Sequence, residues 1–304
     1  AETVPGPTTE RFAAAAKEWG IYIAFGMLEA EGPRIFNACV LVGPEGVVGT
    51  YRKVHLPYLG IDRFTTPGDR PFAVHDIGGL RVGMNICYDG AFPEAARVMA
   101  LEGADLILLP TNWPPGAECT ADFVINTRAL ENAVYYLAVD RIGHERGFRF
   151  IGKSRICDTS GNTLAAADHA DHAILYADID VTKARNKKFV RVPGKHVIHR
   201  FADRRPEFYG PICDPERPKA AGLPPRQSLA PLSSKAGLSP TYLTSCLGVA
   251  KRWMSPTNAP SAKATSVYSR TSMPRLSSRS GFSRSAVKAR PQGERRIHHS
   301  TKVM

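Results

Sequence analysis

The sequence predicts an α/β fold in which helices cover layered sheets. Two features carry that reading: a strand–helix–strand unit across residues 80–110, and an alternation of strand-like and helix-like segments that continues to about residue 215. Residues 8–19 read as a helix: Thr8 or Thr9 can cap it, and Phe12, Ala15, Ala16 and Trp19 recur at helical spacing. Residues 21–29 follow as an apolar strand. Residues 36–42 form another, the turn residues Gly43, Pro44, Glu45 and Gly46 close it, and residues 47–53 supply its hairpin partner. In residues 80–86, Leu80, Val82, Met84 and Ile86 alternate with Arg81, Gly83 and Asn85, as a strand requires. Residues 93–102 are a helix, with Pro93 in the first turn and Gly103 closing it. Residues 105–110 are a short apolar strand. A helix over 120–133, a strand over 135–141 and strands near 150–158 and 173–179, joined by the turn at 159–162, complete the pattern.

The 304 residues are 43% hydrophobic and 22% charged, which excludes a wholly disordered, collagen-like or coiled-coil chain. No run of about 18 apolar residues occurs, so no spanning helix is expected. The net charge of +12 suggests nucleic acid until it is located. From Glu216 onward there are 16 Lys and Arg against 2 Asp and Glu; before it there are 24 against 26. The last 89 residues also hold 16 Ser, 9 Pro and 5 Gly, too little apolar surface to offset the entropy of ordering. Residues 1–215 are therefore expected to form the domain, and 216–304 a disordered or non-native basic tail. Nucleic acid is expected as a partner only through that tail.

The six cysteines form no C-x-x-C pair, and the opening AETVPGPTTERF has no basic segment leading into an apolar one. Reduced thiols, no metal site and a cytoplasmic location are expected. His169-Ala170-Asp171-His172 reads as an exposed turn rather than a metal pair.

Cys87 lies where a strand ends and a helix is about to begin. There a thiol is held away from the sheet beside free backbone N–H groups, which suits a covalent nucleophile; the alternative is a buried, inert cysteine. Lys53 sits at a strand end in Tyr51-Arg52-Lys53-Val54-His55-Leu56-Pro57 and, taken alone, is a solvated edge residue. His55 is either a general base or a structural hydrogen-bonding group.

Taken together, TYRKVHLP, GMNICYDGAFPE, DLILLPTNWP and TRALENAVYYLAVDRIG, in this order, resemble the nitrilase superfamily of carbon–nitrogen hydrolases from about Pro5 to Pro215. The resemblance implies an α-β-β-α sandwich, a homo-oligomer, no cofactor and a Glu–Lys–Cys triad. Cys87 would attack an amide or nitrile carbon, and Lys53 with the backbone N–H of Tyr88 would hold the oxyanion. The family's base glutamate lies in a Pro-Glu motif ahead of the segment that here begins at Pro5, so the chain is expected to lack the first strands and that base; Glu29 and Glu31 follow a different strand. Asp62 is the nearest match to a second family glutamate, or a loop residue paired with Arg63 or Arg52. Glu131 matches a structural motif and is expected in an ion pair that supports the site. Asp140 replaces an Asn often seen in the family.

Family members that bind carboxylated substrates tend to place arginine just after the nucleophile, where this chain has Gly90 and Ala91. A small neutral or cationic primary amide is expected as substrate, with Asn112, Trp113 and Pro114 lining the pocket; Trp113 is otherwise plain core. Nitrile or N-carbamoyl hydrolysis, and a catalytically dead binding protein or scaffold, are the alternatives.

Overall fold

The computed structural model describes residues 1–168, 171–216, 246–249 and 301–303. His169 and Ala170, and almost all of the expected tail, lie outside the described residues.

Helix α1 (Pro7–Trp19) precedes an antiparallel meander of β1 (Tyr22–Glu31), β2 (Arg34–Gly43) and β3 (Gly46–Arg52), and the segment Cys246–Val249 pairs with β1. The second sheet begins with β4 (Val74–Asp76) and β5 (Arg81–Met84), then passes through α2 (Pro93–Leu101) to β6 (Leu106–Thr111) and through α3 (Ile125–Asn132) to β7 (Tyr135–Asp140). A separate hairpin, β8 (Ile142–Glu145) and β9 (Phe148–Ile151), comes before β10 (Arg155–Cys157) and β11 (Thr163–Ala166). The six-stranded order is β11-β10-β7-β6-β5-β4, with β5, β6 and β7 mutually parallel.

Period-two alternation builds four layers. Leu106 and Leu108 of β6, with Tyr135 and Leu137 of β7, join Ala24, Cys39 and Leu41 of the first sheet in one buried cluster between the sheets. Their neighbours Ile107, Leu109, Tyr136 and Ala138 pack instead against Met99 of α2 and Ile125 and Ala129 of α3. On the far side, Ile23, Phe25, Val40 and Val42 meet Ala16 and Phe12 of α1. This is the α-β-β-α sandwich that the resemblance implied. Gly83 marks the close approach of α2, since a Cβ there would stand 2.6 Å from the Met99 sulfur.

Three expectations need correction. The strand expected over 150–158 is two strands in different sheets. Gly152 turns the chain at φ 68°, after which the Lys153 ammonium reaches Asp122 at 2.9 Å and the Ser154 hydroxyl accepts from the Asp140 N–H at 2.8 Å. Over 173–179 only Ala177–Ile179 is strand. The helix expected over 120–133 opens as a wider π-turn at Thr120–Val124, and Ala133 ends it in the left-handed region. Among the described residues no helix is long and apolar enough to cross a membrane.

Leu108 is fully buried between the sheets. Leu108→Ala is expected to lower unfolding free energy by about 2–5 kcal/mol in urea titration, with the slope unchanged.

Candidate active site

Parallel α/β sheets gather ligands at the carboxyl ends of their strands. Here Cys87 follows β5, Asn112 follows β6 and Arg141 follows β7, and all three line one cavity of about 240 Å³. Lys53 and Asp62 reach the same cavity from the first sheet and the loop after it.

Lys53 lies one residue past β3 and is 1% exposed. Its N–H donates to the Asn37 carbonyl and its carbonyl accepts from the Gly68 N–H, both at 2.8 Å. Only glycine fits at 68, because a Cβ there would stand 2.1 Å from the Arg52 carbonyl oxygen. The loop thus laid down carries Asp62, 7% exposed, in a short 3-10 turn. Asp62 Oδ2 accepts from Lys53 Nζ at 2.5 Å, and Oδ1 accepts from Asn37 Nδ2 at 2.8 Å. So Asp62 pairs with Lys53, and not with Arg63 or Arg52. Burial alone would lower the Lys53 pKa; the charges of Cys87 and Asp62, the Asp62 hydrogen bond and Asp89 outweigh it and hold the ammonium above its ordinary value.

Arg52 has separate partners. It donates to both Glu29 oxygens, at 2.6 and 2.8 Å, and to Glu31 and Asp69, with its guanidinium 3.9 Å above the Phe36 ring. Glu29 is thereby committed to Arg52. Glu2 accepts from the Thr8 N–H and hydroxyl at the start of α1.

Cys87 adopts φ +48°, a left-handed conformation costly for a residue with a side chain. Asp89, fully buried two residues on, holds that turn. Its Oδ2 accepts from the Ile86 N–H and the Tyr51 hydroxyl, both at 2.8 Å. Its Oδ1 accepts from the His55 N–H at 3.1 Å and meets His55 Nδ1 at 2.8 Å. His55, stacked on Phe92 with centroids 3.7 Å apart, is therefore a structural group outside the lining. From the helix layer, Arg128 donates to the carbonyls of Gly90 and Ala91 and pairs with Glu131 at 3.0 Å. The Glu131 ion pair is thus present and buttresses this turn.

One expected lining residue stands elsewhere. Asn112 and Pro114 face the cavity, but Trp113, between them on the alternating chain, turns into the helix-side core at 3% exposure. The Tyr88 ring is outside the lining and meets Phe92 edge-on, which leaves only its backbone N–H for the role expected of it. Asn37, Asp89 and Arg128 are the site residues that sequence reasoning missed. Asn37 had a signal, a single polar residue facing inward along an apolar strand.

Comparison with known proteins shows the family. The model of the family described as carbon-nitrogen hydrolase matches residues 1–189. The chain belongs to that family, within the nitrilase superfamily. It is 41% identical over 214 residues to a nitrilase of Pyrococcus abyssi, across 69% of this chain and 77% of that protein. A carbon-nitrogen hydrolase from Helicobacter pylori G27 superposes with a TM-score of 0.61 at 26% identity, across 67% of this chain and 75% of that one. An amidase from Nesterenkonia sp. AN1, solved after Michael addition of acrylamide at its active-site cysteine, matches with a TM-score of 0.50 at 28% identity, across 53% of this chain and 64% of that one.

In this hydrolase Asp140 stands behind the cavity wall. Its Oδ1 accepts from the Trp113 N–H at 2.7 Å. Burial pushes its carboxyl up to about 7, only partly opposed by the backbone N–H groups of Trp113, Gly152, Lys153 and Arg141.

Two outcomes follow from these contacts. Asp89→Ala leaves the donors of Ile86, Tyr51 and His55 without their acceptor, and is expected to cost about 3–5 kcal/mol in denaturant titration. For Asp140 the folded value lies above the unfolded one, so its contribution to stability is full at acid pH and falls as pH rises from about 4 to about 7. Asp140→Asn is expected to remove that slope in thermal melts at pH 5 and pH 8, with a gain of up to about 4 kcal/mol at pH 8.

Proposed function

We propose that this carbon–nitrogen hydrolase cleaves small primary amides to carboxylate and ammonia through a thioester on Cys87. The observation that carries the reading is a thiol on a left-handed turn, in one cavity with a buried ammonium that a carboxylate holds in place. The Cys87 sulfur adds to the amide carbon, and the carbonyl oxygen takes up the negative charge. Lys53 and the Tyr88 N–H stabilise that oxygen inside a site where few waters compete. The C–N bond then breaks, the nitrogen leaves as ammonia with the proton released by the thiol, and water cleaves the thioester to carboxylate. Asp62 is a positioning residue that fixes Lys53 and maintains its charge. Met27, Leu28, Leu59 and Ile61 supply an apolar wall suited to a short acyl chain. A nitrile or carbamoyl carbon would offer the same sulfur a similar target.

A specific observation favours a second reading, an amide-binding protein without turnover. The family's triad includes a base glutamate, while Glu29 is committed to Arg52 and Glu2 to α1.

Iodoacetamide labelling followed by peptide mass mapping tests the site. Exposure alone would favour Cys119 and Cys213, both exposed, over the partly buried Cys87. Activation by Lys53 is expected to reverse that order, with Cys87 labelled at least about tenfold faster than Cys119. Ammonia release from butyramide is expected, and Cys87→Ala is expected to abolish it. Selective labelling without ammonia release from butyramide, butyronitrile or a carbamoyl amine would establish the second reading, and labelling no faster than at Cys119 would remove Cys87 as nucleophile.

A further inference from the structure

We propose that the β8–β9 hairpin is a movable wall of the cavity, latched at its base by the buried carboxyl of Asp140 and released as that carboxyl ionises. The inference concerns access to the cavity and does not depend on which residue acts there as nucleophile.

The hairpin contributes Arg141, Glu145, Arg146, Phe148 and Phe150 to the lining. Among the described residues its strands pair only with each other, and such a ribbon has little stability of its own. Glycines at positive φ stand near both of its ends, Gly143 at 83° and Gly152 at 68°. The Arg141 guanidinium is used within the hairpin, on Glu145 and over the Phe150 ring.

The hold on the sheet is concentrated at one peptide, that of Trp113. Its carbonyl accepts from the Ile151 N–H at 3.0 Å, and its own N–H donates to Asp140 Oδ1 at 2.7 Å. Ile151 and Trp113 also pack in the same buried cluster. Asp140, 6% exposed, therefore fixes the residue to which the returning strand of the hairpin is tied.

The second oxygen of Asp140 makes this latch sensitive to charge. Oδ2 is buried and makes no hydrogen bond of normal geometry among the described residues. A neutral carboxyl suits that position. An ionised one places charge on an oxygen that lacks a well-aligned donor, and hydration of Oδ2 relieves it. Hydration requires the base to part, and the two glycines let the chain turn there without strain. In an open form that meets water the carboxyl returns toward its ordinary value of 3.8, below the value of about 7 in the closed form. By linkage, opening is favoured as pH rises from about 4 to about 7, and is level above that.

The charged groups around Asp140 have their own partners. Arg141 pairs with Glu145, and Lys153 and Arg155 pair with Asp122. Thr111, opposite Asp140 in the register of β6 and β7, carries no charge. Protonation of Glu145 or Asp122 would loosen those pairs as pH falls, which is the opposite sign. His144 is exposed on β8, outside the lining, and serves as a control.

Hydrogen exchange of residues 141–152, read by mass spectrometry and corrected for the intrinsic pH dependence of amides, tests the proposal. Protection of the Ile151 and Gly152 amides is expected to fall by up to about fiftyfold between pH 5 and pH 7, and by less than about twofold from pH 7 to pH 8. These amides are expected to exchange faster than those of β6 at every pH, which separates hairpin opening from global unfolding. Asp140→Asn, which cannot ionise, is expected to abolish the fall, and His144→Gln to retain it. Protection independent of pH in the wild type, an Asp140→Asn protein that keeps the fall, a His144→Gln protein that loses it, or hairpin amides no faster than those of β6 would each overturn the proposal. The wild-type profile and the histidine control suffice to reject it even if Asp140→Asn does not fold.

Discussion

A buried ammonium is the constraint on which the site depends. Lys53 is almost wholly removed from water, which by itself favours the neutral amine. It stays charged because Asp62 and Cys87 stand beside it, and losing one partner of such a pair typically costs about 3–5 kcal/mol. Much of the local architecture serves that pair. Gly68 lets the loop close onto β3, Asn37 holds the second Asp62 oxygen, and Arg52 is kept apart by its own acidic partners. A cation supplied only by solvent-exposed lysine would be screened and mobile. This one is held in place by Asp62, so a negative charge developing beside it would require little reorganisation.

Asp89 ties the cation to the thiol across the two sheets. Its oxygens gather Tyr51 and His55 from the end of the first sheet's hairpin and Ile86 from the end of β5. The strained backbone at Cys87 is thus held by contacts from both sheets, and Arg128 adds a hold from the helix layer through the carbonyls of Gly90 and Ala91. Both sheets and the α3 layer thus restrain this turn. That is why Cys87 persists at φ +48°.

Local patterns made much of this readable in the sequence. Pro93 and Gly103 frame α2, and the alternation in residues 80–86 marks β5, so the turn bearing Cys87 could be placed before any coordinates. What escaped was non-local or masked. The Asp89 partners Tyr51 and His55 lie 38 and 34 residues away, and no short-range pattern joins them. The β8–β9 hairpin shows no apolar alternation in Ile142-Gly143-His144-Glu145, and its Arg146-Gly147 loop lacks the usual turn residues. The sequence expectation therefore leaves residues 142–149 unassigned, between the strands expected over 135–141 and 150–158. Trp113 reads as a pocket wall only while the direction of alternation past the end of β6 is unknown. The formal charge of +12 misleads in the same way, because residues before Glu216 carry slightly more acidic than basic groups.

The cavity divides its work between elements of different stiffness. Cys87, Asn112 and the start of Arg141 sit at the ends of parallel strands buried on both faces, where neighbouring strands fix each position. Among the described residues the strands of the hairpin pair only with each other. Isolated two-stranded ribbons are marginal in water, so its place depends on what anchors its base. The Ile151 N–H donates to the Trp113 carbonyl at 3.0 Å, and the Gly152 N–H donates to the Arg141 carbonyl at 3.2 Å. Asp140, bonded to the Trp113 N–H, sits at that same junction. The hairpin and the strand ends that line the cavity are thus joined through one short stretch of backbone.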